Sequence, residues 1–139
     1  MSFVLDNAVA LAWCFEDEQT PAVMDLLDRV AETGANAPAL WPLEALNGLL
    51  MAERRKRIDS QRRVRLMAFL RDLPIVLDLD TPERVRVETI RLAERFKLTV
   101  YDAAYLERAQ RHRLPIASLD KPLRTAAATI GIETLGISA

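Results

Sequence analysis

KLTVYDAAYLERAQRHRLPIASLDKPL, residues 97–123, reads as a helix, a short buried strand and the opening of a second helix. Thr99 has the chemistry of an N-cap, and Val100 to Arg113 carry helical character. The run 115–120, PIASLD, is apolar, short and ends in an acid, as a buried strand does. Lys121 and Pro122 then start another helix, because proline suits its first turn. A strand set between helices belongs to a βαβ unit, and so to a parallel sheet. The same stretch places Asp102 in a first helical turn and Asp120 at a strand end.

The pattern repeats along the chain. FVLD (3–6) is a strand ending in Asp6, and the Ala-rich NAVALAWCF follows as a helix. Residues 20–34 form a helix with Thr20 as cap, Pro21 at its start and Gly34 at its end. Val23, Leu26, Leu27 and Val30 are its apolar stripe. Residues 36–57 begin as a Pro-rich turn and become a helix at Pro42, and 59–73 form another, capped by Asp59 or Ser60. PIVLDLD (74–80) is a strand, and 81–98 is a helix opened by Thr81, Pro82 and Glu83. Residues 121–131 are a short helix stopped by Gly131, and 132–137 a last strand. The expected fold is α/β: a small parallel sheet of about four or five strands flanked by helices on both faces. Right-handed crossovers bring the strand C-termini to one edge, where such folds bind ligands.

Size and composition narrow the field. At 139 residues the expectation is one domain over 1–139, large enough to bury a core without disulfides or a structural metal. The net charge is −1, so any nucleic-acid surface must be local. One Cys and one His exclude a zinc cluster, and Cys14 alone makes no intrachain disulfide. Cys14 reads as a packed small residue, and His112, in a last helical turn, as a partner of the helix dipole. No GxGxxG, GxxxxGK[ST] or GxSxG is present. The N-terminal apolar run lacks a basic flank, is broken by Asp6 and is too short to span a bilayer. The expected protein is soluble, cytoplasmic and not associated with membrane.

Four acids carry the chemistry. Asp6, Asp102 and Asp120 each suit a helix cap or capping box, and Glu44 suits the positive end of its helix. Each has a structural explanation alone. Together they differ, because Asp6 and Asp120 both follow parallel strands, and Asp102 and Glu44 lie in first turns that can face the same edge. Carboxylates crowded there repel one another unless a cation neutralises them. Mg²⁺ prefers oxygen ligands and is held by few carboxylates. Such a site positions a water, lowers its pKa and steadies the charge growing on a phosphodiester.

These residues resemble the PIN-domain ribonucleases, and among them the VapC-type toxins of bacterial toxin–antitoxin modules. The resemblance rests on FVLDNAVALAW, WPLEALNGL and LTVYDAAYLERAQRHRLPIASLDKPLRTAA in that order, with YDAAYLERA followed by ASLDKPL the most specific part. It implies a PIN-like α/β domain that cleaves RNA with Mg²⁺ or Mn²⁺. Asp6, Glu44 and Asp102 match the family's essential carboxylates and Asp120 its fourth. Ser118 stands where the family often has Ser or Thr. Many relatives carry Ser or Thr two residues after the first Asp; here that position is Ala8, and Asn7 is the polar neighbour. The resemblance further implies a VapB-like antitoxin, an RNA substrate and a homodimer. Trp13, Phe15, Leu40 and Trp41 are either core or the lining of an antitoxin groove.

ERRKRIDSQRRVR (53–65) is the densest basic stretch, with Arg54, Arg55 and Arg57 as candidate RNA contacts or simply a solvated corner. Two other readings compete with the nuclease. One is a non-catalytic PIN-fold module that binds RNA or protein, its acids acting only as caps. The other is a receiver-like domain with Asp78 or Asp80 at a strand end.

Overall fold

The computed structural model describes residues 2–79 and 83–137. The segments that set the site are, in chain order, β1 (Val4–Leu5), α1 (Asn7–Ala12), α2 (Pro21–Thr33), β2 (Ala35–Pro38), α3 (Trp41–Arg54), α4 (Ser60–Arg71), β3 (Ile75–Asp78), α5 (Glu83–Phe96), α6 (Val100–His112), β4 (Ile116–Ala117), α7 (Lys121–Thr129) and β5 (Thr134–Leu135). The five strands form one all-parallel sheet in the order β3-β2-β1-β4-β5.

β1 is central because its residues are the most apolar. Phe3, Val4 and Leu5 are fully buried, and Val4 pairs with Asn36 on one side and Ile116 on the other. Chain connections leave β1 toward β2 and return to β4 on its opposite flank, so the strand order reverses between β1 and β4. That reversal opens a crevice at the carboxyl ends of those two strands. A receiver-like domain has β1 between β2 and β3, so the order seen here overturns that reading. Asp78 is also engaged otherwise: it pairs with Arg108 at 3.3 Å and with Arg111, which in turn holds the buried Glu107 at 2.9 Å. Asp80, and the Thr81 and Pro82 start expected for α5, lie outside the described residues.

The helices begin where their caps predict. Thr20 Oγ1 accepts from the Val23 amide, Asp59 Oδ1 from Arg62 and Thr99 Oγ1 from Asp102. Gly34 ends α2 at φ +72°, ψ −177°, a conformation that essentially only glycine adopts. A Cβ there would also meet the Pro74 carbonyl oxygen at 2.8 Å. α6 packs across β1, β2 and β4 with α5 and α7 against it, while α1, α3 and α4 form a second packed group.

One strand differs from expectation. Ala35–Pro38 pairs in register with Ile75–Asp78 and with β1, where the residues from Asn36 onward read as a Pro-rich turn. Ala, Asn and Pro have poor strand propensity, and Pro38 has no amide to donate. The pairing exists because two apolar strands flank it; tertiary context outweighs local preference here.

Candidate functional site

Asp6 follows β1 directly. Its amide donates to the Ala117 carbonyl at 3.0 Å, which extends the β1–β4 ladder and brings the Asp6 side chain beside the residue after β4. That residue is Ser118, fully buried, whose hydroxyl donates to Asp6 Oδ2 at 2.9 Å. The same hydroxyl oxygen accepts from the Asp120 amide at 3.1 Å. Asp6 Oδ1 accepts from the Asn7 amide at 2.8 Å and caps α1. Asp120 Oδ2 accepts from the Leu123 amide at 3.0 Å and caps α7. Ser118 thus joins the first and last of the four acids through one hydroxyl.

Glu44 sits in the first turn of α3 and Asp102 in the first turn of α6, both half-buried. Glu44 Oε1 accepts from the Tyr105 hydroxyl at 2.6 Å. Tyr105 is not among the residues the sequence marks out. The available signal was its position three residues after Asp102, one turn along the same helix face.

The electrostatics tie the four acids together. Burial pushes the Asp6 carboxyl up to about 7; the Ser118 and Asn7 hydrogen bonds hold it down, and the charges of Asp102 and Glu44 push it further up. Burial raises Glu44, the Tyr105 hydroxyl lowers it and Asp102 raises it. Burial raises Asp102 as well, joined by the charge of Asp120 and opposed by Thr99. Asp102 is therefore the member whose charge is linked to all three others. Among the described residues, however, no three His, Cys, Asp or Glu side chains stand close enough to hold a metal ion between them. The acids share a field without forming a closed ligand cage.

The donor set is all oxygen, which suits hard cations and not zinc. Asn7 Oδ1 adds one more oxygen, buried and without a hydrogen-bond partner among the described residues.

Other candidates are placed differently. Arg57 is committed to an acidic pair, with Asp17 at 3.0 Å and Glu18 at 2.9 Å, and it covers the Phe15 ring at 4.2 Å. Arg54 and Arg55 are exposed. Trp13, Phe15 and Trp41 are core residues, while Leu40 is half-buried against that core. Trp41 does form one wall of an apolar groove of about 520 Å³ between α3, α4 and β3. Cys14 is buried and its thiol unpaired with any other cysteine. His112 Nε2 lies 2.6 Å from Arg108 Nη1 and 3.1 Å from Arg111 Nη1. Burial and those two cations lower its pKa, so it accepts hydrogen bonds as a neutral ring instead of serving the helix dipole as a cation. No helix among the described residues is long and apolar enough to cross a membrane.

An all-parallel five-stranded sheet flanked by helices, with its strand order reversing between β1 and β4, defines a PIN-like α/β domain. The PIN domain pattern matches residues 3–128, and the chain belongs to the PIN domain family. Its fold is similar to that of PAE2754 from Pyrobaculum aerophilum, with a TM-score of 0.70 at 21% identity over 96% of this chain and 83% of that one. It is also similar to a toxin–antitoxin complex from Klebsiella pneumoniae, with a TM-score of 0.59 at 15% identity, covering 93% and 92%. VapBC2 from Rickettsia felis, solved bound to a DNA fragment from its promoter, gives 0.66 at 10% identity, covering 97% and 99%. At these identities the likeness is one of fold. No curated protein matches the chain in sequence.

Proposed function

We propose that this PIN domain is a metal-dependent endoribonuclease of the VapC toxin type, restrained by a VapB-like antitoxin. One observation carries the reading: Asp6, Glu44, Asp102 and Asp120 come from four separate segments, yet burial first, and then their charges on one another, raise the pKa values of Asp6, Glu44 and Asp102. A fold that gathers carboxylates at its ligand crevice holds them at an electrostatic disadvantage that a cation removes.

Asp6, Glu44 and Asp102 would hold Mg²⁺ or Mn²⁺ directly or through water, with Asp120 as the fourth acid. An ion that keeps several waters and takes few carboxylates directly does not require three acids within direct ligand reach of one another, which the described residues do not show. When bound, such an ion supplies a lowered pKa for an attacking water and positive charge against the phosphodiester oxygens. The chain's own residues do the rest. Ser118 fixes the Asp6 rotamer and favours its ionised form. The capping bonds of Asp6 and Asp120 hold each carboxylate by one oxygen and leave the other to the site or to Ser118. Asn7 offers its unpaired oxygen next to Asp6. Arg54 and Arg55 are exposed cations that would track an RNA backbone. The solved toxin–antitoxin complex supports the antitoxin partner, since it shares this fold over most of both chains.

The test is RNA cleavage by purified protein with Mn²⁺. Asp6→Asn and Asp102→Asn should each abolish it while thermal unfolding stays cooperative. Cleavage by either variant at the wild-type rate would make the assignment wrong. The second reading, a non-catalytic RNA- or protein-binding module, is favoured by the capping bonds and by the absence of a three-acid cage among the described residues. It requires that Mn²⁺ give no stabilisation, whereas the nuclease reading requires about 2.7 kcal/mol at a concentration about one hundred times Kd.

A further inference from the structure

Tyr105 is fully buried, and a buried phenol needs a hydrogen-bond acceptor. A backbone carbonyl would satisfy that need without involving a charge. Instead the hydroxyl reaches from α6 to α3, across 61 positions of sequence, and donates to Glu44 Oε1 at 2.6 Å. Phenol–carboxylate bonds are charge-assisted, short and directional. The Glu44 carboxylate has no other hydrogen bond among the described residues, so Oε2 has no protein donor there. An unrestrained glutamate in a first helical turn samples several rotamers; one oxygen held by a rigid, buried ring removes most of that freedom. Tyr105 also lies one turn from Asp102, so a single helix face supplies one acid and orients another.

We infer that Tyr105 is a positioning residue of the acidic site: it grips Glu44 by Oε1 and presents Oε2 to the cation or to a water on it. This rests on the nuclease reading above. The competing account is a core aromatic whose hydroxyl met the nearest acceptor.

Tyr105→Phe separates the two, because it removes the oxygen and keeps the ring. Mn²⁺ binding is measured by calorimetry on RNA-free protein, alongside RNA cleavage and thermal unfolding. A positioning role weakens Mn²⁺ binding by about 10- to 100-fold, the range for partners that orient metal ligands. It also lowers kcat while leaving KM for RNA unchanged, and it adds nothing further in a Glu44→Gln background. Should Tyr105→Phe not unfold cooperatively, Tyr105→Met, an adaptable apolar side chain without a donor, takes its place. Mn²⁺ affinity within about twofold of wild type, far short of that range, overturns the inference, whatever happens to the melting temperature. Asp6→Asn in the same titration tells the two failures apart. If it loses Mn²⁺ while Tyr105→Phe does not, only the inference falls; if it binds like wild type, the nuclease reading falls and takes the inference with it.

Discussion

The Ser118 hydroxyl donates to Asp6 Oδ2 at 2.9 Å across 112 positions of sequence, and it also accepts from the Asp120 amide. The bond favours the ionised form of a carboxyl that burial pushes toward its neutral form. Ser118→Ala therefore moves the Asp6 pKa further up. The expected result is a cleavage pH profile displaced to the alkaline side, with Mn²⁺ affinity at neutral pH down by about tenfold. Freeing the Asp120 amide costs a further ~1–3 kcal/mol of stability if it stays dry. An unshifted profile would mean that Ser118 serves only the loop.

Asp6 also makes stability depend on pH. Its carboxyl has a pKa of about 7 folded against an ordinary 3.8, so between those values the native state binds more protons than the unfolded chain. Stability from this group is fully present below about 4 and is lost as pH rises through about 7, by at most on the order of 4 kcal/mol. Asp6→Asn lacks the dependence. Melting temperatures of the two proteins without divalent cations should diverge from about pH 4 to about pH 7, the wild type falling relative to the variant. Mn²⁺ at the alkaline end should restore the wild type alone. Parallel curves would show that Asp6 titrates as an ordinary exposed carboxyl.

At Gly34 the backbone conformation and its surroundings both constrain the residue. Its φ of +72° with extended ψ excludes a side chain, and the Pro74 carbonyl closes the space a Cβ would need. Gly34→Ala should destabilise by at least ~2 kcal/mol, at the upper part of the range for such strain with a backbone clash added. Chemical denaturation measures it. A loss under half that would mean that β2 and the 74 position shift easily.

The basic corner divides in two. Arg54, Arg55 and Arg57 are all exposed, but Arg57 is taken by Asp17, Glu18 and the Phe15 ring, whereas Arg54 and Arg55 join no such ion pair among the described residues. Arg54→Ala with Arg55→Ala should reduce the slope of log affinity for RNA against log salt by about 0.7 for each phosphate that is no longer neutralised. Arg57→Ala should leave that slope unchanged. Equal effects from all three arginines would place Arg57 on the RNA surface after all.

Much of this architecture is written locally. The caps at Thr20, Asp59, Thr99 and Asp120 act within three residues of themselves, and each starts its helix where the sequence places it. The apolar runs at 3–6 and 115–120 hold the strands Val4–Leu5 and Ile116–Ala117, buried on both faces. From strands that end in Asp6 and Asp120, parallel topology alone brings those two acids to one edge. Short-range chemistry and a period of apolar residues suffice for that much.

Tertiary structure decided the remainder. Ala35–Pro38 is a strand only because β1 and β3 offer it partners on both sides. Tyr105 meets Glu44, and Ser118 meets Asp6, across long stretches of chain, and no local pattern encodes which distant acceptor a buried hydroxyl finds. Arg57 and His112 took roles set by neighbours from other segments or turns, a salt-bridged clasp in one case and a neutral acceptor in the other. Residue type tells which groups are able to ionise; only the packed surroundings, through burial and the nearness of other charges, tell which of them do.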